Sequence, residues 1–428
     1  MSVQKVDVLV IGGGIVGACV ARELQTSGRQ VTLVERGQPG QACSFANAGW
    51  LTPCFAMPLP QPGMFWKSIG WLFDPTSPLH IQPNLSPTLV RWMWLFLRAM
   101  NREQMEKSVS ILTKISSFSL DFYRELGARS KRPIGFENRG LLMVSGTAAG
   151  LDYATIEMQL MKERGIDGRL MKQDEALNFE PALRPIVRGG VYFPGEAQAD
   201  PYATTLAVMD EFTAAGGVSH ANAEAYQFEI ENGRIRRVLT TRGVFEADLV
   251  VLATGAWSKD VAKELKLNIP ILGGKGYSMS VDMPEGADSG VDSDFRKPKV
   301  PIMIVEKKIA VTPFQNHVRL AGTLELVDQD FSISSRRLQG VHSGAREYLK
   351  FDSDFSEARD IWRGLRPCTP DGVPIIGPST RVSNLFYCAG HQLLGFQSAP
   401  GSARLAADLI LGRSPLVDPK GFQADRFE

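Results

Sequence analysis

The sequence predicts a mixed α/β fold in which a dinucleotide-binding domain is interrupted by a second domain. At the N-terminus, a strand, a glycine turn, a helix and a second strand follow one another up to Glu35. Much later, a buried strand over 245–252 leads into the small-residue turn of Thr254 and Gly255. Both features are typical of a single parallel sheet. Since they lie far apart in the chain, we expect the residues between them to form the second domain.

The N-terminal unit has the spacing of a dinucleotide-binding βαβ motif. Three glycines follow the apolar run 6–10, and a second apolar run, 31–34, ends on Glu35. Gly12 permits the tight turn, Gly14 lets the backbone approach a pyrophosphate, and Gly17 lets the helix pack closely on the strand. The helix N-terminus offers free N–H groups to the phosphates, and Glu35 is placed to accept hydrogen bonds from a ribose. The unit therefore predicts a dinucleotide site.

The composition is that of an ordinary soluble globular protein. The chain has 428 residues, 44% of them hydrophobic and 22% charged, and a net charge of +1, so no global field attracts nucleic acid. No apolar stretch approaches the ~20 residues that span a bilayer, and no secretion signal precedes the first strand. The five cysteines form no CxxC pair, which argues against a metal site. We expect a cytoplasmic protein without a nucleic-acid partner or a metal.

Periodicity and turn residues predict the remaining elements. Asn232-Gly233 between two short runs indicates a β-hairpin, and the stretch 272–324 is mostly strand-like. Strands are also expected at 140–145 and 189–193. Helices are expected at 89–100, 107–126, 151–164, 201–215 and 402–411.

Four further stretches carry the most specific pattern in the chain. They are Ser44–Leu51, the strand-to-turn segment Leu249–Gly255, the polar and glycine-rich run Gly364–Gly377, and Leu385–His391 with Leu394–Phe396. With the N-terminal unit, they resemble the FAD-dependent D-amino-acid oxidase superfamily, which includes glycine and sarcosine oxidases. Within that superfamily the chain is most similar to the bacterial D-amino-acid dehydrogenases, and the resemblance covers nearly its whole length.

The resemblance implies a Rossmann-like FAD-binding domain interleaved with a substrate domain built on a large mixed or antiparallel sheet. The FAD-binding domain would comprise 1–55, 197–260 and 356–428, and the substrate-binding domain 56–196 and 261–355. No residue matches the cysteine that links the flavin covalently in some sarcosine oxidases, so non-covalent FAD is expected. The implied cofactor contacts are Gly12, Gly14, Ile15, Val16, Gly17, Glu35, Arg36, Ser44, Asn47, Ala48, Gly49, Trp50, Leu51, Ala225, Thr254, Gly255, Trp257, Gly364, Gly390, His391, Leu394, Gly395 and Phe396. For Ser44 and Asn47, ordinary loop capping is the alternative role.

Three residues are candidates for the substrate site. In the related oxidases the arginine of the glycine–leucine–arginine–proline run, here Arg366, grips the substrate carboxylate, and a guanidinium suits such a bidentate contact. The alternative is a structural arginine tied to a neighbouring carboxylate. Tyr277 either adds a hydrogen bond to the same carboxylate or is a half-buried strand aromatic. His391 lies between two glycine-rich turns, where it contacts the flavin, transfers a proton or simply packs.

The implied reaction is the oxidative deamination of a D-amino acid. Hydride passes from Cα to flavin N5, and hydrolysis of the imine gives a 2-oxo acid and ammonia, with no need for a strong general base. Dehydrogenases of the family pass electrons to a quinone pool and its oxidases pass them to oxygen. A quinone or another non-oxygen acceptor is expected here.

Two apolar, aromatic segments, 64–73 and 91–98, bear on the electron acceptor. Tryptophan and arginine are favoured at membrane interfaces, which suggests peripheral contact with the inner face of the cell membrane. A buried helix beneath the substrate domain explains the second segment equally well.

Three other interpretations of the function are open. In the first, the substrate is a secondary amino acid such as D-proline, hydroxyproline or sarcosine, and the chain is a subunit of a larger complex. Alternatively, the chain is a flavin-binding electron-relay module without its own substrate, although Arg366 and Tyr277 argue against this. A nicotinamide-dependent dehydrogenase fits the glycine fingerprint but not the run at Gly390-His391.

Overall fold

The computed structural model describes residues 3–62, 79–81, 87–282, 296–327, 329–351 and 353–427. Strands β1 to β19 span, in chain order, Val3–Ile11, Val31–Val34, Trp50–Leu51, Leu79–Ile81, Leu141–Ser145, Arg169–Lys172, Gly189–Phe193, Ala197–Gln198, Val218–His220, Ala225–Glu231, Arg234–Thr240, Gly243–Leu252, Leu272–Asp282, Ile302–Ile304, Ile309–Pro313, His317–Val327, Arg359–Cys368, Ile375–Pro378 and Leu385–Ala389. Helices α1 to α9 span Ile15–Thr26, Pro87–Ala99, Arg102–Arg129, Ala148–Lys162, Gln173–Phe179, Pro201–Ala214, Ser258–Glu264, Ser335–Tyr348 and Gly395–Ile410.

The first sheet contains the N-terminal unit. Its strand order is β10-β11-β12-β1-β2-β9, with β19 beside β12 and β18 beside β19. Strand β1 pairs in parallel with both β2 and β12. The glycine turn after β1 and the turn at Thr254 after β12 therefore leave the same edge of one sheet, as predicted. The predicted hairpin joins β10 to β11 through Asn232 and Gly233, whose φ angles of 50° and 69° suit such a turn.

The second sheet is mixed, as expected. Its order is β17-β13-β16-β15-β14-β5-β7-β6, with β4 beside β16. Strand β14 is parallel to β5, and β16 is parallel to β4, while the other pairings are antiparallel. Strand β13 is buried along most of its length. Helix α8 packs on one of its faces, where Tyr277 and Val341 share a core cluster. On the other face the Ser278 hydroxyl donates a 2.7 Å hydrogen bond to the Ala46 carbonyl.

Two expected domain boundaries differ from the observed sheets. Strand β17, at 359–368, belongs to the second sheet, whereas the third FAD-binding segment was expected from 356. The first sheet resumes only at Ile375. Helix α3, expected in the substrate domain, packs Ile115 and Tyr123 into the core of the first sheet's helices. An amphipathic pattern shows that a helix covers a core but not which of two cores it covers.

The last helix begins seven residues earlier than predicted. The predicted helix starts at 402, but α9 runs from Gly395 with Pro400 inside it. Proline has no N–H for the carbonyl four residues earlier, and here the Tyr123 hydroxyl donates a 2.7 Å hydrogen bond to that carbonyl, of Phe396. Gly401 allows α3 to approach, because a Cβ there would lie 2.4 Å from the carbonyl oxygen of Ile115. Tertiary contacts thus replace the bond that proline removes.

Candidate active site

A cavity of about 910 Å³ is lined by residues of both sheets. Its wall includes the glycine turn after β1, the end of β2, the loop 42–48, the turn after β12, strands β13 and β16, and the start of α9. This volume lies at the upper end of the range typical for small-molecule and cofactor sites. Parallel strands β1, β2 and β12 present their carboxyl ends to the cavity, where α/β sheets commonly bind ligands.

The glycine turn is built for a close approach of two backbones and for a ligand. A Cβ at Gly17 would lie 1.9 Å from the Gly12 carbonyl oxygen, and a Cβ at Gly12 would lie 2.4 Å from that of Ala253. Gly12 also has φ +112°, a conformation that favours glycine. At Gly14 the nearest atom would be the Ser44 hydroxyl, 3.4 Å away. The space beside Gly14 is therefore open to the cavity, whereas Gly17 serves helix packing.

Glu35 is held at the end of β2 by two backbone amides. Its Oε2 accepts a 2.7 Å hydrogen bond from the Gly13 N–H, and its Oε1 accepts a 2.9 Å bond from the Gly37 N–H. The side chain also lines the cavity. A carboxylate fixed in this way retains free lone pairs, which suit the hydroxyls of a ribose.

Polar side chains of the loop after β2 form hydrogen bonds within the loop and to the start of α1. The Ser44 hydroxyl accepts a 2.9 Å hydrogen bond from the Ile15 N–H at the start of α1. The Asn47 side chain donates to the Cys43 carbonyl at 3.1 Å and accepts from the Gly49 N–H at 2.9 Å. Both side chains therefore have a capping role. Ser44, Asn47, Ala48 and Trp50 still line the cavity, and they do so from a fixed backbone.

Arg36 and Trp257 line the part of the cavity that also contains Glu35. The Arg36 guanidinium carbon lies 3.9 Å from the centroid of the Trp257 ring, a cation–π contact. The ring of Trp257 stacks on Phe331 with centroids 6.0 Å apart. Ala225 and Thr254 line the same cavity. Arg36 and Trp257 follow strands of the first sheet and Phe331 follows a strand of the second sheet, so these contacts join the two sheets near Glu35.

His391 lies just before α9 at the cavity wall. It is buried, and its Nε2 has no hydrogen-bond partner among the described residues. Burial lowers the pKa of His391 to about 3, so the imidazole is neutral at physiological pH. A buried polar atom without a partner is costly, and this one borders the cavity. Leu394, Gly395 and Phe396 line the same part of the wall.

Arg366 points from β17 across its neighbour β13. A Cβ at Gly276 would lie 2.0 Å from Nη1 of Arg366, so the guanidinium occupies the space that this glycine leaves. Its Nη1 donates a 2.8 Å hydrogen bond to the carbonyl oxygen of Thr323 on β16. No carboxylate of the described residues forms an ion pair with it, and burial lowers its pKa. The arginine lines the cavity and can accept an anionic ligand there.

Tyr277 does not have the predicted geometry. Its ring belongs to the core cluster beneath α8, and its hydroxyl accepts a 3.4 Å hydrogen bond from the Ser334 N–H. Side chains alternate between the two faces of a strand, so Tyr277 faces away from the guanidinium that lies over Gly276. We therefore correct the expected role of Tyr277. The strand-aromatic alternative describes it better, although the residue borders the cavity.

Most of the predicted site residues line one cavity. Four predicted contacts do not border it, because they are used in packing and turns: Gly17, Gly49, Leu51 and Gly390. The cavity wall also includes residues outside the predicted set of contacts, among them Ala223, Gly276, Ser278, Thr323 and Gln392. For two of these residues, the only feature that sets them apart is the backbone conformation, which the sequence does not reveal. Thr323 and Gln392 have positive φ angles, 65° and 50°, which are uncommon outside glycine.

The residues present fit a flavin dinucleotide. The open glycine turn, the fixed Glu35 carboxylate and the His391 Nε2, which has no partner among the described residues, all border one cavity of sufficient volume. Cys43 donates its thiol to the Leu365 carbonyl, and Cys368 is buried. No group of three or more potential metal ligands comes together in the described part of the chain.

Comparison with known proteins agrees with this geometry. The chain is 32% identical over 427 residues to a D-amino acid dehydrogenase of Vibrio atlanticus, covering 98% of this chain and 100% of the relative. It is 34% identical over 420 residues to D-amino acid dehydrogenase 2 of Ralstonia nicotianae, covering 96% and 98%. The fold is similar to that of glycine oxidase from Geobacillus kaustophilus, with a TM-score of 0.74 and 21% identity over 98% of both chains.

The sequence model of one family extends over nearly the whole chain. This family is DAO, described as FAD dependent oxidoreductase, and it matches residues 7–409. That range includes the glycine turn, Arg366 and His391. The chain therefore belongs to the DAO family of FAD-dependent oxidoreductases.

Proposed function

We propose that this protein is a D-amino acid dehydrogenase that converts a D-amino acid to a 2-oxo acid and ammonia. The observation that carries the proposal is the Arg366 guanidinium on the wall of the FAD-type cavity, which forms no ion pair with any carboxylate of the described residues. A guanidinium fork binds a carboxylate with defined orientation. The relatives that bear the name D-amino acid dehydrogenase match nearly the full chain, which favours this substrate class over secondary amino acids.

Bound FAD would supply the acceptor for the hydride of the substrate Cα. The task of the protein is to position the substrate. Arg366 binds the α-carboxylate through the N–H groups that Thr323 leaves free, and this fixes the direction of the Cα–H bond. Gly276 makes room for the guanidinium and for the carboxylate beside it. Holding the reacting atoms in line is worth several kcal/mol of the barrier.

His391 supplies no strong acid or base to the substrate. The neutral imidazole of His391 accepts a hydrogen bond but does not provide a proton at neutral pH, since its pKa lies at about 3. The substrate must therefore lose its ammonium proton to water on binding or enter in the neutral amine form. Water outside the site then hydrolyses the imino acid. His391 is retained in this scheme as a contact to the cofactor.

The electron acceptor is proposed to be a quinone or another non-oxygen acceptor, reached at a membrane surface. Support comes from α2, where Val90, Trp94 and Leu97 are exposed on one stripe and Arg98 lies 4.6 Å from the Trp94 ring. Trp92 of the same helix is fully buried and donates to the Cys368 carbonyl. Segment 91–98 thus has one buried face and one exposed face with apolar residues. Segment 64–73 lies outside the described residues.

No helix within the described ranges has the length and apolarity that crossing a bilayer requires. The proposed contact is therefore peripheral, through an amphipathic helix whose apolar stripe faces the interface. An arginine beside a tryptophan suits such a position, because its head reaches the phosphates while its stem lies on the ring.

Anaerobic bleaching of the flavin band tests the proposed activity. The purified holoenzyme is mixed with D- and L-enantiomers of the same amino acids, and the absorbance of oxidised flavin is followed. We expect bleaching by D-enantiomers only. Bleaching by L-enantiomers, or by sarcosine and D-proline alone, would contradict the proposal. Dithionite provides the positive control for a reducible flavin, and acid precipitation that leaves the flavin in solution checks that it is bound non-covalently.

A further inference from the structure

We propose that the substrate side chain binds on an apolar wall formed by Trp92, Phe96, Leu324 and Leu326, and that the enzyme prefers D-amino acids with large apolar side chains. This inference rests on the proposed function, because it assumes that Arg366 holds the substrate carboxylate. The four wall residues belong to one core cluster and all line the cavity. Leu59 and Met93, partly buried, extend the same wall.

The position of the wall relative to Arg366 follows from two glycines of β13. A Cβ at Gly276 would meet the Arg366 guanidinium, and a Cβ at Gly274 would lie 2.7 Å from Cδ1 of Leu324. Residues two apart share a face of a strand and are separated by ~6.8 Å along it. The guanidinium and Leu324 are therefore about one strand repeat apart on the same face. A carboxylate and the side chain of one amino acid span this distance.

The chemistry of the wall excludes charged side chains. Trp92, Phe96, Leu324 and Leu326 are each at least 90% buried, and the one polar atom among their side chains, Nε1 of Trp92, donates to the Cys368 carbonyl at 3.0 Å. A charged substrate group placed there would lose its hydration without gaining a partner, which is strongly unfavourable. An apolar side chain gains by leaving water.

Three other charged residues of the cavity wall lie elsewhere on the second sheet or beside it. Glu306 and Lys308 lie at the turn between β14 and β15, and Glu157 is on α4. The Arg366 guanidinium lies over Gly276 of β13, and strand β14 is three neighbours away from β13 in the sheet, roughly 14 Å at the usual strand spacing. A side chain attached to a carboxylate on Arg366 does not reach that turn, so these charges do not select it.

The size of the expected preference for large apolar side chains follows from the apolar surface that they bury. Each methylene buried on an apolar surface contributes about fourfold to binding. D-Leucine has three more carbons than D-alanine, and the wall covers part of the added surface. We therefore expect kcat/KM for D-leucine to exceed that for D-alanine by at least about tenfold. D-Methionine should behave like D-leucine, and D-glutamate and D-lysine should be poorer than D-alanine.

The test is a substrate panel with the intact holoenzyme and a dye acceptor, followed by two variants. Leu326→Ala removes part of the wall, and the ratio of kcat/KM for D-leucine to D-alanine should fall about fivefold or more. Leu320→Ala is the matched control, because Leu320 lies buried on the same strand but does not border the cavity. Its ratio should equal that of the parent. Flavin absorbance shows that each variant is folded and loaded.

The panel on the parent enzyme needs no variant, so the proposal can be overturned even if Leu326→Ala fails to fold. A kcat/KM for D-alanine, D-glutamate or D-lysine equal to or above that for D-leucine overturns it while leaving the proposed function intact. An equal drop of the ratio in Leu320→Ala and Leu326→Ala overturns the assignment of the wall. If no D-amino acid reduces the flavin, the proposed function itself is wrong, and the inference falls with it.

Discussion

Nη1 of Arg366 donates a 2.8 Å hydrogen bond to the backbone carbonyl of Thr323. The two residues lie on strands that are not adjacent, with β13 between them, and the contact passes over Gly276. Thr323 has φ +65° and lies in a bulge, where the pairing of β16 with β13 shifts register between Lys275 and Tyr277. A β-branched residue in this conformation is strained, at a cost of about 1–3 kcal/mol. Three strands therefore cooperate to orient one guanidinium.

Gly276→Ala should displace the Arg366 guanidinium without disturbing the fold. The added Cβ would lie 2.0 Å from Nη1, the end of a flexible side chain that can move away. We expect KM for a D-amino acid to rise about 10- to 100-fold, since charge-assisted hydrogen bonds contribute about 1.5–3 kcal/mol. Flavin content and melting temperature should stay near those of the parent. The matched control is Gly195→Ala, where nothing lies within 4 Å; equal KM values in both variants would refute this role of Gly276.

Gly14→Ala and Gly17→Ala should fail in different ways. A Cβ at Gly17 would lie 1.9 Å from a backbone carbonyl, so this variant should lose stability and yield little folded protein. At Gly14 the nearest atom would be 3.4 Å away, and this variant should fold normally but bind FAD more weakly, because the methyl group occupies space at the phosphates. Circular dichroism and FAD titration of the apoproteins measure both effects. Normal FAD affinity in folded Gly14→Ala would contradict the assignment of the glycine turn.

The stability of the apoprotein should fall as pH drops from 7 towards 4, partly because of His391. Burial lowers the pKa of His391 to about 3, whereas an unfolded histidine has a pKa of about 6.5. Between these values the unfolded state binds a proton that the native state does not, so the free energy of unfolding decreases with falling pH. In His391→Asn this decrease should be smaller. Urea unfolding of both proteins at pH 7 and 5 measures the difference, and parallel slopes would argue against a buried neutral His391.

Trp94→Ser should weaken binding to vesicles that contain anionic lipid. Trp94 is 54% exposed on the apolar stripe of α2, and exposed aromatic residues anchor proteins at membrane interfaces. Ile156→Ser is the control, because Ile156 is an even more exposed apolar residue on α4. Co-sedimentation of the parent and of Ile156→Ser, with less of Trp94→Ser, supports the proposed contact. Equal sedimentation of all three would remove α2 from the interface.

Local patterns predicted the elements around the cofactor well. The glycine spacing and Glu35 gave the βαβ unit, since each residue there acts on its immediate neighbours in the chain. The buried strand before Thr254 was assigned to the same sheet, and β1 pairs with β12. Arg366, which is predicted to bind the substrate carboxylate, lines the cavity, because a short motif fixes its own backbone.

What sequence reasoning missed depends on contacts between distant segments. The direction of Tyr277 was not predictable from its motif, because strand alternation fixes a face only once the neighbours of β13 are known. The space over Gly276 exists because Arg366 arrives from β17. The early start of α9 depends on the Tyr123 hydroxyl, which replaces the bond that Pro400 removes. Each of these needs a partner far away in the chain.

Anaerobic reduction of FAD-loaded Arg366→Ala tests the central claim most directly. If Arg366 binds the substrate carboxylate, the D-amino acid concentration that half-reduces the flavin should rise at least about 100-fold, with an unchanged oxidised flavin spectrum. Arg366→Lys, which keeps the charge but loses the fork, should lie between parent and alanine variant. Reduction of Arg366→Ala at the same D-amino acid concentrations as the parent would contradict the account.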